Sequence, residues 1–340
     1  MKLGGILLPV LVIAAIVIAI RLDAAEVNYE QREDVRSYVD QLEHEHGLDA
    51  AELMELFSQV KRKQSVLDAI ARPAERTLKW HEYRDIFIQE KRIAQGIEFW
   101  AEHEPTLLRA QSEYGVPPEV IIAILGVETR YGRNVGGFRV IDALTTLGFD
   151  YPPRAEFFRN ELTEYLLLVR EEGMDALEIK GSYAGAMGYG QFIPSSFRAY
   201  AVDFDEDGIR NIWSNPVDAI GSIANYIHHH GWQGGDGVVV QVEVTGGDVE
   251  PIVNKSLNLD HTVAELTALG VVADGLQPDA RAALYRMEQE DHSEHWLALN
   301  NFYVITRYNR SRLYALTVHQ LGQEIKARRD ERIARLEQLR

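Results

Sequence analysis

The chain has 340 residues, of which 46% are hydrophobic and 26% are charged, a composition typical of a folded protein with material for two or three domains. Its formal net charge of -17 argues against a general nucleic-acid binder, because neutralising phosphates requires clustered Lys and Arg. The sequence contains no cysteine, which excludes disulfides, thiolate nucleophiles and cysteine-ligated zinc.

The N-terminus has the layout of an export signal. Lys2 precedes an apolar run over residues 6–20, and Arg21 then begins a polar, acidic stretch. The run with its flanks is also close to the minimum length of a membrane span, so residues 1–25 are interpreted as a cleaved signal peptide or as an uncleaved anchor. A buried core helix is the minor alternative. We therefore expect a periplasmic protein, secreted or anchored to the inner membrane.

Residues 26–110 are polar and show helical periodicity, which predicts an α-helical region that packs on another part of the chain. The apolar residues form two stripes, Leu53, Leu56, Phe57 and Val60, and Ile93, Ile97 and Trp100. Farther along, residues 238–244 alternate as a β-strand does, and residues 252–253 are a candidate second strand after a turn. A small β-containing module is expected there.

Glu128 is the most informative residue, because it lies on the apolar side of a predicted helix. Pro118 suits a helix start, and Ile121, Ile124 and Leu125 recur with Glu128 at helical spacing. Burial disfavours an ionised carboxylate and so raises its pKa. A general acid that works near neutral pH requires such a raised pKa. A surface Glu, or a Glu that pairs with Arg130 or Arg133, is the alternative interpretation of this segment alone.

Residues 181–197 form a glycine-rich segment, GSYAGAMGYGQFIPSSF. Its small residues leave backbone open to a ligand, while Ser182 and Gln191 supply polar side chains. The segment lacks the GxGxxG pattern of dinucleotide sites and the GxSxG elbow of serine hydrolases. A polar-ligand site and a tight turn between helices both remain open on this evidence.

Four motifs in order resemble those of the family B lytic transglycosylases. They are residues 126–132 (GVETRYG), 184–196 (AGAMGYGQFIPSS), 215–226 (NPVDAIGSIANY) and 302–309 (FYVITRYN). The resemblance extends over essentially all of the chain after the N-terminal segment, and several long motifs in matching order make it specific.

The resemblance implies a mainly α (α+β) fold with a lysozyme-like helical core, an N-terminal α domain and a small inserted β domain. The expected parts are the signal or anchor (1–25), the α domain (26–110), the core (111–236), the β domain (237–298) and the C-terminal part of the core (299–340).

The resemblance also implies an activity, the cleavage of peptidoglycan between MurNAc and GlcNAc without water, which leaves a 1,6-anhydroMurNAc end. The Glu of the GVET motif is the family's acid/base, and this position is Glu128 here. A single carboxylate is consistent with that chemistry, since the substrate's own 6-hydroxyl replaces the water or the second carboxylate of ordinary glycosidases. No cofactor is expected for the reaction itself.

The resemblance places several further residues along the glycan groove. These are Ser182, Gln191, Tyr226, Tyr308, Asn309 and Tyr314. Tyrosines suit sugars because the ring covers C–H faces while the hydroxyl forms hydrogen bonds. Arg154 matches a basic position near the peptide stem or acetamido group, but Pro153 stands where some relatives have a second basic residue.

Residues 203–208 (DFDEDG) resemble the opening of an EF-hand calcium loop. A standard loop would close with a Glu at position 214, where this chain has Ser214. The family resemblance implies closure by Asp218 and a structural Ca²⁺; a solvated acidic turn is the alternative. The implied ligands are Asp203, Asp205, Asp207, the carbonyl of Ile209 and Asp218.

Two alternatives to the transglycosylase remain. A hydrolytic muramidase would need a second acid, for which Asp142 and Glu161 are conceivable, and an inactive peptidoglycan-binding scaffold would need none.

The three histidines at 228–230 point to different sides of a helix, which disfavours a shared metal ion. The expected partner is the peptidoglycan glycan strand, with no nucleic acid, membrane association through residues 1–25 and a monomeric chain.

Overall fold

The computed structural model describes residues 28–71 and 78–338. The signal or anchor predicted at residues 1–25 lies outside these ranges. Within them, none of the helices combines the length and apolarity that a membrane crossing requires. The described chain is mainly α-helical with two small sheets, so the predicted fold class is confirmed.

The N-terminal part is helical. Its described helices are α1 (Glu33–His46), α2 (Ala50–Ser58), α3 (Gln64–Ile70), α4 (Trp80–Phe87) and α5 (Glu90–Tyr114). Gly47 and Gly115 end α1 and α5 in the left-handed conformation that glycine adopts at low cost. Pro105 lies inside α5, and non-helical dihedral angles at His103 mark a kink there.

The central part surrounds one buried helix. Its elements are α6 (Pro118–Thr129), β1 (Phe138–Arg139), α7 (Val140–Asp150), α8 (Ala155–Glu172), β2 (Lys180–Gly181), α9 (Pro194–Tyr200) and α10 (Pro216–His229). Pro118 occupies the first turn of α6, as predicted. The helix is buried on nearly all sides rather than along one stripe, because α5 and α10 cover it together with the C-terminal helix.

A four-stranded antiparallel sheet forms the β module. Its elements are β3 (Val239–Val242), β4 (His261–Thr262), α11 (Val263–Ala268), β5 (Arg281–Glu288) and β6 (Ser293–Ala298), with strand order β3-β6-β5-β4. The module has an apolar cluster of its own, which includes Leu266, Leu284 and Leu297. The prediction of a strand at residues 252–253 is wrong. Ile252 and Val253 donate their N–H groups back to the Val249 carbonyl and form a turn.

The chain then returns to the centre through α12 (Asn300–Tyr308) and α13 (Arg312–Gln338). Helix α13 packs against α4, α5, α6 and α12. Its contact with α6 is close, since a Cβ on Gly322 would lie 2.6 Å from the carbonyl oxygen of Glu119. The helices before and after the β module therefore share one apolar core, which extends from Tyr29 to Ile325.

Candidate active site

Glu128 lies one residue before the end of α6, and its side chain is half-buried. The Tyr314 hydroxyl, from the first turns of α13, donates to Glu128 Oε1 across 2.7 Å. After the helix end, Arg130 and Tyr131 both adopt left-handed φ values, 53° and 59°, which turn the chain sharply away. A carboxylate with a fixed donor is thus presented at a helix end.

Three tyrosines predicted to line the groove lie side by side near Glu128. The rings of Tyr308 and Tyr314 are parallel within 8° and 6.4 Å apart, and the Tyr226 ring lies 4.9 Å from that of Tyr308. Tyr308 donates its hydroxyl to the Gly190 carbonyl across 2.5 Å, and Tyr226 donates to the Arg307 carbonyl across 2.7 Å. Backbone carbonyls therefore fix the orientation of two of these rings.

The phenols of this cluster remain protonated in the neutral range. Burial raises the pKa of Tyr226 to about 12. The pKa values of Tyr308 and Tyr314 are raised well above the ordinary value by burial first and by the charge of Glu128 second. The Tyr314 hydroxyl consequently keeps its proton and donates it in the hydrogen bond to the Glu128 carboxylate.

The glycine-rich segment forms a compact loop that places Ser182 and Gln191. Ser182 Oγ accepts from the N–H groups of Ala184 and Ala186, at 3.2 and 3.0 Å. Gln191 has a left-handed φ of 52°, and its Nε2 donates to the carbonyls of Gly188 and Val135. Both side chains are half-buried, and their hydrogen bonds hold the backbone of the loop in a defined conformation.

Arg154 and Asn309 lie at the ends of short elements. Arg154 is exposed in a 3₁₀ turn, and its guanidinium carbon lies 4.3 Å from the ring centroid of Phe157. Asn309 follows the last residue of α12, and its carbonyl accepts from the Ser311 N–H across 2.7 Å. Arg154 is free to reach a ligand from this turn, whereas Asn309 belongs to the connection that leads to Tyr314.

The two carboxylates considered as a second acid are occupied by structural contacts. Asp142 is fully buried, pairs with Arg139 and accepts from the Lys61 N–H across 2.9 Å. Glu161 accepts from both the N–H and the hydroxyl of Ser195, at 3.0 and 2.7 Å, and thereby caps α9. Neither is arranged to activate a water molecule.

The acidic loop brings together three of the predicted calcium ligands. Carboxylate oxygens of Asp203, Asp205 and Asp218 lie within 4.8 Å of one another. Asp218 is fully buried and accepts from the N–H groups of Phe204 and Asn211, which ties both ends of the loop to α10. Burial, followed by repulsion from the other two carboxylates, raises the pKa of Asp218.

The two remaining predicted ligands lie in the same turn. The Asp207 carboxylate accepts from the Ile209 N–H across 2.9 Å and is not part of the three-carboxylate group. Carboxylate and carbonyl oxygens are the ligands that calcium prefers, so the types of residue present fit this ion.

His228 and His230 have separate hydrogen-bond partners. His228 Nδ1 donates to the Tyr114 carbonyl across 3.0 Å. His230 Nδ1 donates to the Tyr226 carbonyl across 2.7 Å, and its ring stacks on the Tyr226 ring at 4.1 Å. His230 therefore packs against Tyr226, one of the three clustered tyrosines.

A family model described as "Transglycosylase SLT domain" matches residues 30–323. The chain belongs to this family. It is 43% identical over 308 residues to membrane-bound lytic murein transglycosylase B of Escherichia coli (strain K12), an alignment that covers 88% of this chain and 84% of that protein.

Solved structures agree with this membership. The lytic transglycosylase SltB1 from Pseudomonas aeruginosa superimposes with a TM-score of 0.86 at 52% identity, over 88% of this chain and 99% of that one. The Escherichia coli lytic transglycosylase Slt35 in complex with calcium superimposes with a TM-score of 0.78 at 42% identity, over 90% and 95% of the two chains. The present chain is accordingly a lytic murein transglycosylase, and the predicted family and enzyme class are confirmed.

Two residues of the candidate site and the acidic loop are not singled out by the sequence. Tyr83 of α4 is one of them, since its charge interaction with Tyr314 contributes to the raised pKa of that phenol. Asn215 donates its Nδ2 to Asp205 across 2.8 Å in the acidic loop. An aromatic residue in a polar helix and an Asn in a turn carry no chemical pattern of their own, so only tertiary structure reveals them.

Proposed function

We propose that Glu128 is the acid/base of this transglycosylase and cleaves the β-1,4 bond between MurNAc and GlcNAc without water. The observation that carries the proposal is the half-buried Glu128 carboxylate with a fixed Tyr314 donor at 2.7 Å. The structural hydrogen bonds made by Asp142 and Glu161 support it, since the hydrolytic route needs a second carboxylate that is available to the substrate or to water.

In the first step, protonated Glu128 gives its proton to the glycosidic oxygen as the bond from MurNAc C1 to that oxygen breaks. In the second step, the Glu128 carboxylate takes the proton of the MurNAc 6-hydroxyl as its oxygen bonds to C1. The product is 1,6-anhydroMurNAc, and Glu128 regains its starting protonation. The attacking hydroxyl belongs to the substrate, so its effective concentration is high without any positioned water.

The glycan strand is proposed to lie along the tyrosine cluster and the glycine-rich loop. The flat faces of Tyr226 and Tyr308 suit the C–H faces of sugar rings, and Ser182, Gln191 and Asn309 supply polar groups beside them. Arg154 is proposed to meet a group of the stem peptide or the acetamido group, because its guanidinium is exposed.

The acidic loop is proposed to hold a structural calcium ion through Asp203, Asp205 and Asp218, with Asp207 and the Ile209 carbonyl completing the set. The three grouped carboxylates support this, as does the related structure with calcium. The ion would offset the repulsion among these carboxylates and stabilise the loop before α10. It supplies no step of the reaction.

We also retain the predicted division at residues 25, 110, 236 and 298, with a monomeric chain outside the cytoplasm. The name of the Escherichia coli relative, a membrane-bound enzyme, supports membrane association through residues 1–25.

The test is to incubate the full chain with purified peptidoglycan and to identify the released muropeptides by mass spectrometry. Anhydro ends are expected; reducing ends, one water molecule heavier, would indicate a muramidase, and binding without release would indicate a scaffold. Glu128→Gln is expected to abolish release while peptidoglycan still binds. Glu119→Gln is the matched control, because Glu119 lies on the same helix, is buried and pairs with Lys326. Activity retained by Glu128→Gln would refute the assignment.

A further inference from the structure

Thr129 follows Glu128 directly, and its buried hydroxyl connects two separate parts of the site. The hydroxyl donates to the Tyr189 carbonyl across 2.8 Å and accepts from the Gly132 N–H across 2.9 Å. One hydroxyl can do both, since it has one proton and two lone pairs. Its distance to the Leu125 carbonyl, 3.5 Å, is too long to compete. The end of α6 is thus joined to the glycine-rich loop, 60 residues further along the chain.

The turn after Thr129 has little freedom to rearrange while this connection holds. Arg130 and Tyr131 are left-handed, a conformation that costs energy for residues other than glycine and persists only where contacts enforce it. Gly132 is also left-handed, and the Tyr189 ring covers it so closely that a Cβ there would lie 2.2 Å from a ring carbon. Tyr189 therefore contacts the turn with its ring and Thr129 with its carbonyl.

The next residue of the loop, Gly190, carries the connection on to the tyrosines. Its carbonyl accepts from the Tyr308 hydroxyl, and the Tyr308 ring lies parallel to that of Tyr314. Tyr314 in turn donates to Glu128. The contacts form a closed circuit from Glu128 through Thr129, the loop and the two tyrosines back to the Glu128 carboxylate.

We propose that Thr129 is a positioning residue, whose hydroxyl sets the place of the Glu128 carboxylate relative to the loop that carries Ser182 and Gln191. The inference rests on the proposed acid/base function of Glu128. Proton transfer needs the acid within about 2.6–3.2 Å of the oxygen it protonates, so a small shift of the helix end slows the reaction. Without the hydroxyl, the Gly132 N–H and the Tyr189 carbonyl lose this shared partner.

The test compares Thr129→Val, which keeps the branched shape and removes the hydroxyl, with Thr129→Ser, which keeps the hydroxyl. For Thr129→Val, kcat for the release of anhydromuropeptides should fall about 10- to 100-fold, the range expected for a misplacement of about 1 Å. KM should change less than about threefold, because the groove residues that bind glycan are intact. Thr129→Ser should recover most of the lost kcat.

Thr145→Val is the matched control for removal of a buried hydroxyl. Thr145 is fully buried in α7, and its hydroxyl finds no hydrogen-bond partner among the residues described by the structure. This variant should retain the wild-type kcat.

Three results would overturn the inference while leaving the proposed function intact. The first is a wild-type kcat for Thr129→Val. The second is a loss of kcat for Thr129→Val that is no larger than its loss of folded protein, measured by circular dichroism. The third is a kcat for Thr129→Ser that is as low as that for Thr129→Val. By contrast, a wild-type enzyme that releases no anhydro ends, or an active Glu128→Gln variant, would overturn the proposed function itself and this inference with it.

Discussion

The substitution Tyr314→Phe removes only the hydroxyl of Tyr314, and with it the hydrogen bond to Glu128. The ring is 1% exposed and lies parallel to Tyr308, so phenylalanine keeps the packing while bulk water has little access to the vacated position. Burial and the Glu128 charge hold the pKa of Tyr314 well above its usual range, which means that the wild-type hydroxyl donates at every pH of interest. The variant therefore isolates the hydrogen bond.

The size of the effect follows from the partner being a carboxylate. A hydrogen bond to a charged group contributes about 1.5–3 kcal/mol. At about 1.4 kcal/mol for each factor of ten in rate, kcat/KM should fall by about 10- to 150-fold if the contact orients Glu128 in the transition state.

The assay is the initial rate of anhydromuropeptide release, measured beside the melting temperature. Tyr285→Phe is the control, because Tyr285 is equally buried but donates to the Ser256 carbonyl in the β module. It should lose about 1 kcal/mol of stability and keep its kcat/KM. If Tyr314→Phe retains kcat/KM within about twofold while it loses stability like the control, the contact is structural and the reasoning fails.

Two further predictions concern stability. Calcium should raise the melting temperature of the wild type by mass action, and Asp205→Asn should reduce that shift; equal shifts would contradict the proposed ligand set. Burial raises the pKa of Glu161 above its ordinary value of 4.5, so the folded state binds this proton more readily than the unfolded state. Relative to Glu161→Gln, the wild type should lose stability as the pH rises from about 4.5 through the folded pKa, and a pH-independent difference in melting temperature would contradict this.

The position of Glu128 could be predicted because local rules determine it. Pro118 begins the helix, and residues 120–125 that follow are all apolar and buried, so Glu128 lies near the end of a buried helix. Its hydrogen-bond partner could not be derived in this way. Tyr314 is 186 residues away, and the sequence pattern contains no information about which distant side chain meets the carboxylate. Only the family resemblance placed both at one site.

The β module shows the same limit. Alternating residues predicted β3, although the strand is shorter than expected, at Val239–Val242. Residues 252–253 have the composition of a strand, but local hydrogen bonds to Val249 make them a turn, and Val253 joins the apolar cluster of the module. Short apolar segments are ambiguous because burial and strand formation favour the same side chains.

The place of α13 at the end of the chain has a consequence for synthesis. A ribosome makes Glu128 well before Tyr314, with the whole β module between them. A chain interrupted before Arg312 lacks α13, and with it the donor to Glu128 and the helix that covers α6. The carboxylate thus acquires its partner only when the polypeptide is nearly complete, so prematurely terminated chains carry an unassembled site.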